Sequence, residues 1–310
     1  MIAFIERHHF LFRRLHSLSG IVPIGVFLLG HLTTNSTILW GAANARAGDD
    51  YFTRRVGTFQ KEVNFINELP FLLLIEISLW LGIGFHAILG VYYARTGNSN
   101  TKRYAYQDNK RYTWQRWSGY IALIYIFYHV ATLRWGWTFL IPGGTKWDHN
   151  FAGSTMAAAL RGGYDGITPA GLAVSIFYFV GVTASIYHFA NGLWTAAITW
   201  GLTVSEAAQR RWGYACAGLG AGLMALGWGS VIGFAVLDPN TASIVEQDML
   251  SKKQGVPIET DVNETIELEL GTDLGTGLGT GLGTSGLPEV GDGDVVVSPA
   301  GYAEEPAVDG

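Results

Sequence analysis

Residues 168–198, TPAGLAVSIFYFVGVTASIYHFANGLWTAAI, run for 31 residues without a lysine, arginine, aspartate or glutamate. An α-helix needs about 20 apolar residues to cross the hydrocarbon core of a bilayer, which is roughly 30 Å thick. The stretch is therefore predicted to be a membrane-spanning helix. His188 lies inside it, and an ionisable side chain at that depth is costly unless it has a function.

Four further apolar stretches are long enough to cross a bilayer in the same way. The five predicted spans lie near residues 16–36, 69–94, 117–141, 168–198 and 213–237. The expected fold class is therefore an all-α integral membrane protein, a bundle of five transmembrane helices. No signal-peptide cleavage pattern follows the first apolar run, so we expect that run to remain as a span.

Charge divides the chain into two parts. Residues 1–237 carry 18 Lys and Arg against 10 Asp and Glu, whereas residues 238–310 carry 2 against 15. The second part is rich in glycine and poor in aromatic residues, a composition that buries too little surface to offset chain entropy. We therefore expect a membrane domain at 1–237 and a disordered acidic tail at 238–310. The single cysteine, Cys216, excludes a disulfide framework and a cysteine-held iron–sulfur cluster.

The distribution of basic residues predicts the orientation in the membrane. Eleven Lys and Arg lie in the segments 1–15, 95–116 and 199–212, and six lie in the loops on the other side. Because basic loops stay in the cytoplasm, we expect a multi-pass protein of the cytoplasmic membrane with a cytoplasmic N-terminus. Five spans then put the C-terminal tail outside. Membrane lipid accounts for this basic excess, and no nucleic-acid partner is expected.

Four of the eight histidines lie inside predicted spans, one on each of the first four: His31, His86, His129 and His188. At 1.5 Å per residue, His31 and His129 lie about 25 and 20 Å beyond the nearest arginines of the inner surface. The same count places His86 and His188 in the inner half. The four therefore form two levels, an outer pair (His31 and His129) and an inner pair (His86 and His188).

Two imidazoles at one depth are what a six-coordinate haem needs as axial ligands. A zinc site would need three or four ligands at one depth. The pattern therefore predicts two b-type haems, one above the other. An alternative stays open, in which a haem-free scaffold or transporter uses the histidines as polar contacts between helices. Glycines near the histidines that could leave room for a flat macrocycle are Gly25, Gly30, Gly84, Gly90 and Gly192.

Arginines near the two levels are candidates to pair with haem propionates. Arg14, with Arg13, Arg95 and Arg116, lies near the inner surface. Arg134 follows His129 by five residues and is expected to lie within the third span. Lipid headgroups are the alternative partners of the arginines at the inner surface.

Several segments of the membrane domain can be compared with family motifs. They are RRLHSLSGIVPIGVFLLGH at 13–31, LPFLLLIE at 69–76, FHAILGVY at 85–92, YHV at 128–130, and YHFANGLW at 187–194 followed by TWGLTV at 199–204. Together, over roughly residues 8–237, they resemble the cytochrome b558 membrane anchor of dihaem succinate dehydrogenases and related fumarate reductases. The resemblance implies five helices, two haems b on the four histidines, and assembly with a flavoprotein subunit and an iron–sulfur subunit.

The resemblance also implies a function. Electrons from succinate, which is oxidised on a partner and not in this chain, pass through the two haems to a quinone, menaquinone or ubiquinone. The quinone candidates are Glu76, Glu68 and Ser17, and His16 could serve a quinone or an inner-haem propionate. Some fumarate reductase members carry a glutamate two residues before the fourth ligand; Ile186 stands there, so that proton route is not expected. A dihaem anchor of a formate dehydrogenase, nitrate reductase or hydrogenase stays open as an alternative.

Overall fold

The structure, a computed structural model, describes residues 2–43, 50–97 and 107–255. Within these ranges every regular element is helical, in agreement with the all-α class. The α-helices there are α1 (Ile2–Arg7), α2 (His9–Ser19), α3 (Val26–Trp40), α4 (Tyr51–Asn67), α5 (Leu72–Thr96), α6 (Gln107–Leu133), α7 (Ala152–Arg161), α8 (Pro169–Thr199), α9 (Glu206–Val236) and α10 (Pro239–Gln254). A π-helical turn, Gly20–Gly25, joins α2 to α3, and short 3-10 helices lie at Thr138–Leu140 and His149–Phe151.

Four described helices are long and apolar enough to cross a membrane: His9–Trp40 (α2 through α3), α5, α8 and α9. They agree with four of the five predicted spans. The predicted third span falls on α6, which is not one of these four. The first half of α6 carries Lys110, Arg111 and Arg116, which lower its hydropathy.

The outer end of α6 differs from the sequence prediction. The third span was expected to reach residue 141, but the helix ends at Leu133. Gly136 has a φ of 68°, and the backbone N–H groups of Arg134 and Trp135 both donate to the Val130 carbonyl. A glycine in the left-handed region is a common helix terminator. Arg134 therefore lies just beyond the end of the helix. The prediction that it lies within the third span is wrong.

The helices pack side by side around α8, which contacts α6 on one side and α9 on the other, while α9 also packs on α3. Gly181 of α8 allows a close approach to α6, because a Cβ there would lie 2.1 Å from the Tyr125 ring. On α9, Gly227 faces Val182 of α8, and Gly229 and Gly233 face Leu39 at the end of α3. Gly218 and Gly222 of the same helix have no such contact, because nothing lies within 4 Å of a Cβ at either position.

Helices α4, α7 and α10 form a layer that we call the cap. It lies at the end of the bundle where α3, α6 and α9 finish and where α5 and α8 begin, and its three helices contact one another. Every residue of α7 from Ala152 to Leu160 is buried. The buried residues of the cap therefore continue the hydrophobic core of the bundle at this end.

Helix α10 lies in the region that the sequence assigns to a tail. Asp238 accepts a hydrogen bond from the Thr241 N–H, and Pro239 occupies the first helical turn. A capping Asp followed by Pro is typical of the start of a helix. The predicted disordered tail begins at these same two residues. Residues 239–254 are thus helical and packed, with Ala242 and Val245 buried. The remaining part of the predicted tail, 256–310, lies outside the described residues.

Two buried side chains bind the cap helices together at the start of α7. Gln60 of α4 accepts a hydrogen bond from the Ala152 N–H through Oε1. Glu246 of α10 accepts from the N–H groups of Gly153 and Ser154 and from the Ser154 hydroxyl. These are the first N–H groups of α7, which have no partner within their own helix. Burial raises the pKa of the Glu246 carboxyl to about 7, against its hydrogen bonds to Ser154 and Gly153.

Candidate functional site

The four histidines of the predicted spans meet in pairs. The imidazole centres of His31 and His129 lie 5.7 Å apart, with an angle of 82° between the rings. Those of His86 and His188 lie 6.0 Å apart, at 90°. The grouping is the one that the depth count predicts, with one histidine from each of α3, α5, α6 and α8.

The spacing within each pair fits a metal centre between the two rings. Imidazole–metal bonds are about 2 Å long, so two bonds in line, with half a ring at each end, put the ring centres about 6 Å apart. Either angle between the rings is compatible with this spacing, because each imidazole would bind the metal through one nitrogen in its own ring plane. Among the described residues, no three His, Cys, Asp or Glu side chains converge on one ion. The paired geometry thus suits a haem iron.

The inner pair has hydrogen-bond partners at the second ring nitrogen. His86 Nδ1 lies 2.9 Å from the carbonyl oxygen of His16, and His188 Nδ1 lies 3.0 Å from that of Gln115. A carbonyl only accepts, so the N–H belongs on Nδ1 and the lone pair on Nε2. Metal-bound histidines commonly donate their other N–H in this way, which fixes both the tautomer and the ring orientation.

The outer pair is surrounded by aromatic rings. Phe27 stacks on His31 with ring centres 5.1 Å apart, and Tyr125 and Tyr178 each lie 5.7 Å from His129. His129 Nδ1 is buried without a hydrogen-bond partner among the described residues. Aromatic rings therefore surround the outer pair, whereas hydrogen bonds to backbone carbonyl groups hold the inner pair.

His16 lies against the inner pair. Its ring stacks on His86 with centres 4.0 Å apart and 13° between the planes, and its edge faces Tyr93 at 5.7 Å. His16 Nδ1 and the Tyr93 hydroxyl are both buried without a partner among the described residues. The structure thus brings His16 next to a predicted ligand, and it leaves two polar atoms there that a propionate could satisfy.

The structure joins two residues to which the sequence gives separate roles. Arg134 was a candidate for an outer propionate and Glu76 for a quinone. Their side chains form a forked ion pair, with Nη2–Oε2 at 3.0 Å and Nε–Oε1 at 3.1 Å. The pair forms because α6 ends before Arg134 and its side chain reaches α5. The Arg134 side chain is 61% exposed and that of Glu76 27%, so the pair borders the surface of the chain.

The other three candidates are not in contact with a histidine pair. The Arg14 guanidinium lies 5.8 Å from the centre of the Trp200 ring, and Ser17 accepts a hydrogen bond from the same indole at 2.9 Å. Glu68 forms an ion pair with Lys253 of α10. Arg14 and Ser17 thus join α2 to the end of α8, and Glu68, which directly follows α4, joins two helices of the cap.

Sequence reasoning missed the residues that support the inner pair. The His16 and Gln115 carbonyls are backbone groups, which no residue type reveals. Gly20 and Gly119 are also close, because a Cβ at either would lie 2.5 or 2.8 Å from an inner imidazole. A signal was available in the repeated Ser-Gly dipeptide of the first and third predicted spans.

Long apolar helices that surround paired, buried histidines are typical of membrane-bound b-type cytochromes. No family model matches the chain, and no solved structure is significantly similar to it. A curated relative is the succinate dehydrogenase cytochrome b558 subunit of Bacillus subtilis (strain 168), which is 37% identical over 202 residues. The match covers 65% of this chain and 85% of the relative. The chain therefore belongs to the family of succinate dehydrogenase cytochrome b558 subunits, and the family expected from the sequence motifs is confirmed.

Proposed function

We propose that this chain is the cytochrome b membrane anchor of a succinate:quinone oxidoreductase and binds two haems b. His31 and His129 hold the outer haem, and His86 and His188 hold the inner one. The observation that carries the proposal is the pairing of four buried histidines at ring-centre distances of 5.7 and 6.0 Å. Haem b bound in this way supplies a one-electron couple in the interior of the membrane.

The inner and outer histidine pairs are close enough together for electrons to pass from one haem to the other across the bilayer. Gly20 touches the inner pair, and His31 follows it by 11 residues on the same span. At 1.5 Å per residue the two levels are about 16 Å apart. The aromatic residues between them, including Tyr125, keep water away, and the histidines keep fixed orientations. This chain therefore positions the electron carriers, and succinate is oxidised on a partner subunit.

The orientation follows from the order of the helices and the basic loops. Helix α6 must run from the end of α5 to the cap, so we assign it as the fifth span despite its charged first half. The N-terminus then lies in the cytoplasm, where a flavoprotein subunit and an iron–sulfur subunit dock, and the cap and the remaining tail lie outside. The relative is a succinate dehydrogenase subunit, which favours this complex over a formate dehydrogenase, nitrate reductase or hydrogenase.

Quinone reduction is assigned to the outer level. The Arg134–Glu76 pair lies at the outer end of α5 and α6, and it combines a carboxylate with a partly exposed cation. A quinone carbonyl that becomes negative on reduction can accept a hydrogen bond from the guanidinium, and the carboxylate can pass a proton from the surface. Ser17 is a lesser candidate because it lies at the inner end of the bundle, and Glu68 is one because it pairs with Lys253 within the cap.

Haem content of the purified complex tests the proposal. We expect two haems b per chain from a reduced-minus-oxidised spectrum and a haem-to-protein ratio. His86→Ala or His188→Ala should remove the inner haem and retain the outer, and His31→Ala or His129→Ala should do the reverse. His149→Ala is the matched control, since His149 lies in the cap with a half-exposed side chain. A wild-type complex without haem, or a paired variant that retains both haems, would contradict the proposal.

A further inference from the structure

The two inner histidines have the same set of neighbours, supplied by different helices. His86 of α5 lies against α2 and the π-helical turn, and His188 of α8 lies against α6. Each is met by a backbone carbonyl, a serine three residues further along, and a glycine four residues further along. We call this set the cradle, and its two copies are His16, Ser19 and Gly20, and Gln115, Ser118 and Gly119.

The polar contacts agree in both atoms and distances. The Nδ1–carbonyl distances are 2.9 Å for His86 and 3.0 Å for His188. The serine hydroxyls of Ser19 and Ser118 each lie 3.4 Å from the same Nδ1 atoms. Both imidazoles are thus fixed in the tautomer that leaves Nε2 as the ligand atom.

The glycines are the steric part of the cradle. A Cβ at Gly20 would lie 2.5 Å from His86 Cε1, and one at Gly119 would lie 2.8 Å from His188 Cε1. Real Cβ atoms do not approach another atom so closely, so any larger residue would displace the imidazole. Glycine at these two positions lets each ring lie directly against the neighbouring helix.

The agreement extends to the helices that carry the inner histidines. An aromatic residue precedes each ligand and a glycine follows it by four residues, in FHAILG at 85–90 and YHFANG at 187–192. Gly90 faces the side chain of His16, and Gly192 faces that of Gln115, with Cβ positions at 3.3 and 3.5 Å. The contact between the two helices of each pair is therefore reciprocal.

The outer histidines follow the same scheme. Phe27 and Tyr125 each precede an outer histidine by four residues and touch its ring. Gly119 precedes His129 by 10 residues, whereas Gly20 precedes His31 by 11. The extra residue falls where the first span contains its π-helical turn, and such a turn is how a helix accommodates one inserted residue. Apart from this one additional residue, the glycine, aromatic and histidine positions of the first span and of α6 therefore have the same spacing.

We propose that the histidine-bearing spans are two copies of one haem-binding hairpin, α2–α3 with α5 and α6 with α8. In each copy the serine and glycine of the cradle are positioning residues that aim the inner histidine at the inner haem. The inference rests on the proposed function, since it assigns a role toward haem. It differs from a simple packing role for the glycines, because packing would support both levels and the cradle touches only the inner one.

The test compares alanine at the two glycines in the purified complex. Gly20→Ala and Gly119→Ala should each cause loss of the inner-haem signal in the electron paramagnetic resonance spectrum and retention of the outer-haem signal. His188→Ala identifies which signal is the inner one. The matched controls are Gly218→Ala and Gly222→Ala on α9, where an added Cβ meets nothing within 4 Å, and both should keep two haems.

A milder pair of variants keeps the test decisive if the glycine variants do not accumulate. Ser19→Ala and Ser118→Ala remove only the hydroxyls, and each should shift the inner signal and leave the outer one unchanged. An unchanged inner signal in the serine variants, or an equal change at both levels, would overturn the proposal. An effect at only one copy of the cradle would refute the repeat. Fewer than two haems in the wild-type complex would instead refute the proposed function.

Discussion

Glu246 is a carboxyl group without exposed surface, and it joins α10 to the first turn of α7. The helix N-terminus and the Ser154 hydroxyl favour its charged form, but burial outweighs them and raises its pKa to about 7 from an ordinary value of 4.5. Asp148 nearby raises the pKa further. The group therefore takes up a proton on folding in the neutral to mildly acidic range.

This shift predicts a pH dependence of the cap. A carboxyl whose pKa is higher in the folded chain binds its proton more tightly there, so its stabilising contribution is complete below about pH 4.5 and is lost as the pH rises through about 7. The full change corresponds to about 3 kcal/mol. Amide hydrogen exchange in α7 should therefore become faster from pH 5 to pH 7.5, after correction for the intrinsic rate.

Glu246→Gln should remove this pH dependence, because a neutral amide replaces the titrating group at nearly the same size. Asp248→Asn is the control on the same helix, since it removes only an ion pair with Lys252. If the corrected exchange rate of wild-type α7 did not change between pH 5 and pH 7.5, the assignment to Glu246 would be wrong.

Individual residues differ in how far the sequence reveals them. The four histidines were predicted because an ionisable group within an apolar run is conspicuous, and helix geometry then gives their depth. Their Nδ1 partners at His16 and Gln115 are carbonyl groups, which every residue has. The Arg134–Glu76 pair depends on where α6 ends, and that in turn depends on the left-handed conformation of Gly136.

Among the elements, the apolar spans were predictable and the cap was not. Apolar runs of 20 residues or more identify spans by composition alone, whereas α7 has only ten residues and is rich in alanine and small polar groups. Its burial comes from α8 and α9 as well as from α4 and α10, and all of these except α8 lie far away in sequence. The sequence predicts a tail from residue 238 onward, because the acidic charge there outweighs the capping signal of Asp238 and Pro239.

The contact between α6 and α8 gives a prediction at this scale. Gly181→Ala would place a Cβ about where the Tyr125 ring now lies, and overpacking of this kind costs about 1–3 kcal/mol. Because Tyr125 also touches His129, the outer haem should be lost before the inner one. The melting midpoint of the complex and the haem ratio measure both effects.

Gly222→Ala serves as the control for Gly181→Ala, since it adds the same methyl group to a neighbouring helix where nothing lies within 4 Å. Equal melting midpoints for the two variants would show that α6 and α8 are not packed through Gly181.

At the scale of the whole molecule, the folded part of the chain extends at least to the end of α10, which is further than the charge distribution predicts. Helix α10 completes the cap, whereas the sequence beyond Gly255 consists largely of Gly, Thr, Leu and acidic residues. A chain that ends at Gly255 should keep the melting midpoint and haem content of the full chain. A chain that ends at Leu237 should melt lower, because α7 loses Glu246 and the buried side chains of α10.

Both truncated chains are to be measured within the assembled complex. If the shorter chain were as stable as the longer one, α10 would not be part of the folded domain. If the chain ending at Gly255 lost stability, the acidic segment beyond it would contribute to the fold.

The π-helical turn at Gly20–Gly25 also bears on how the first span evolved. One added residue rotates everything beyond it by about 100° around a regular helix, which would turn His31 away from His129. The wider turn absorbs that rotation, so an insertion in the first span could survive without loss of the outer pair. Relatives with a ten-residue spacing in this span should therefore have an unbroken α-helix there. The irregular turn would then be the trace of a single inserted codon.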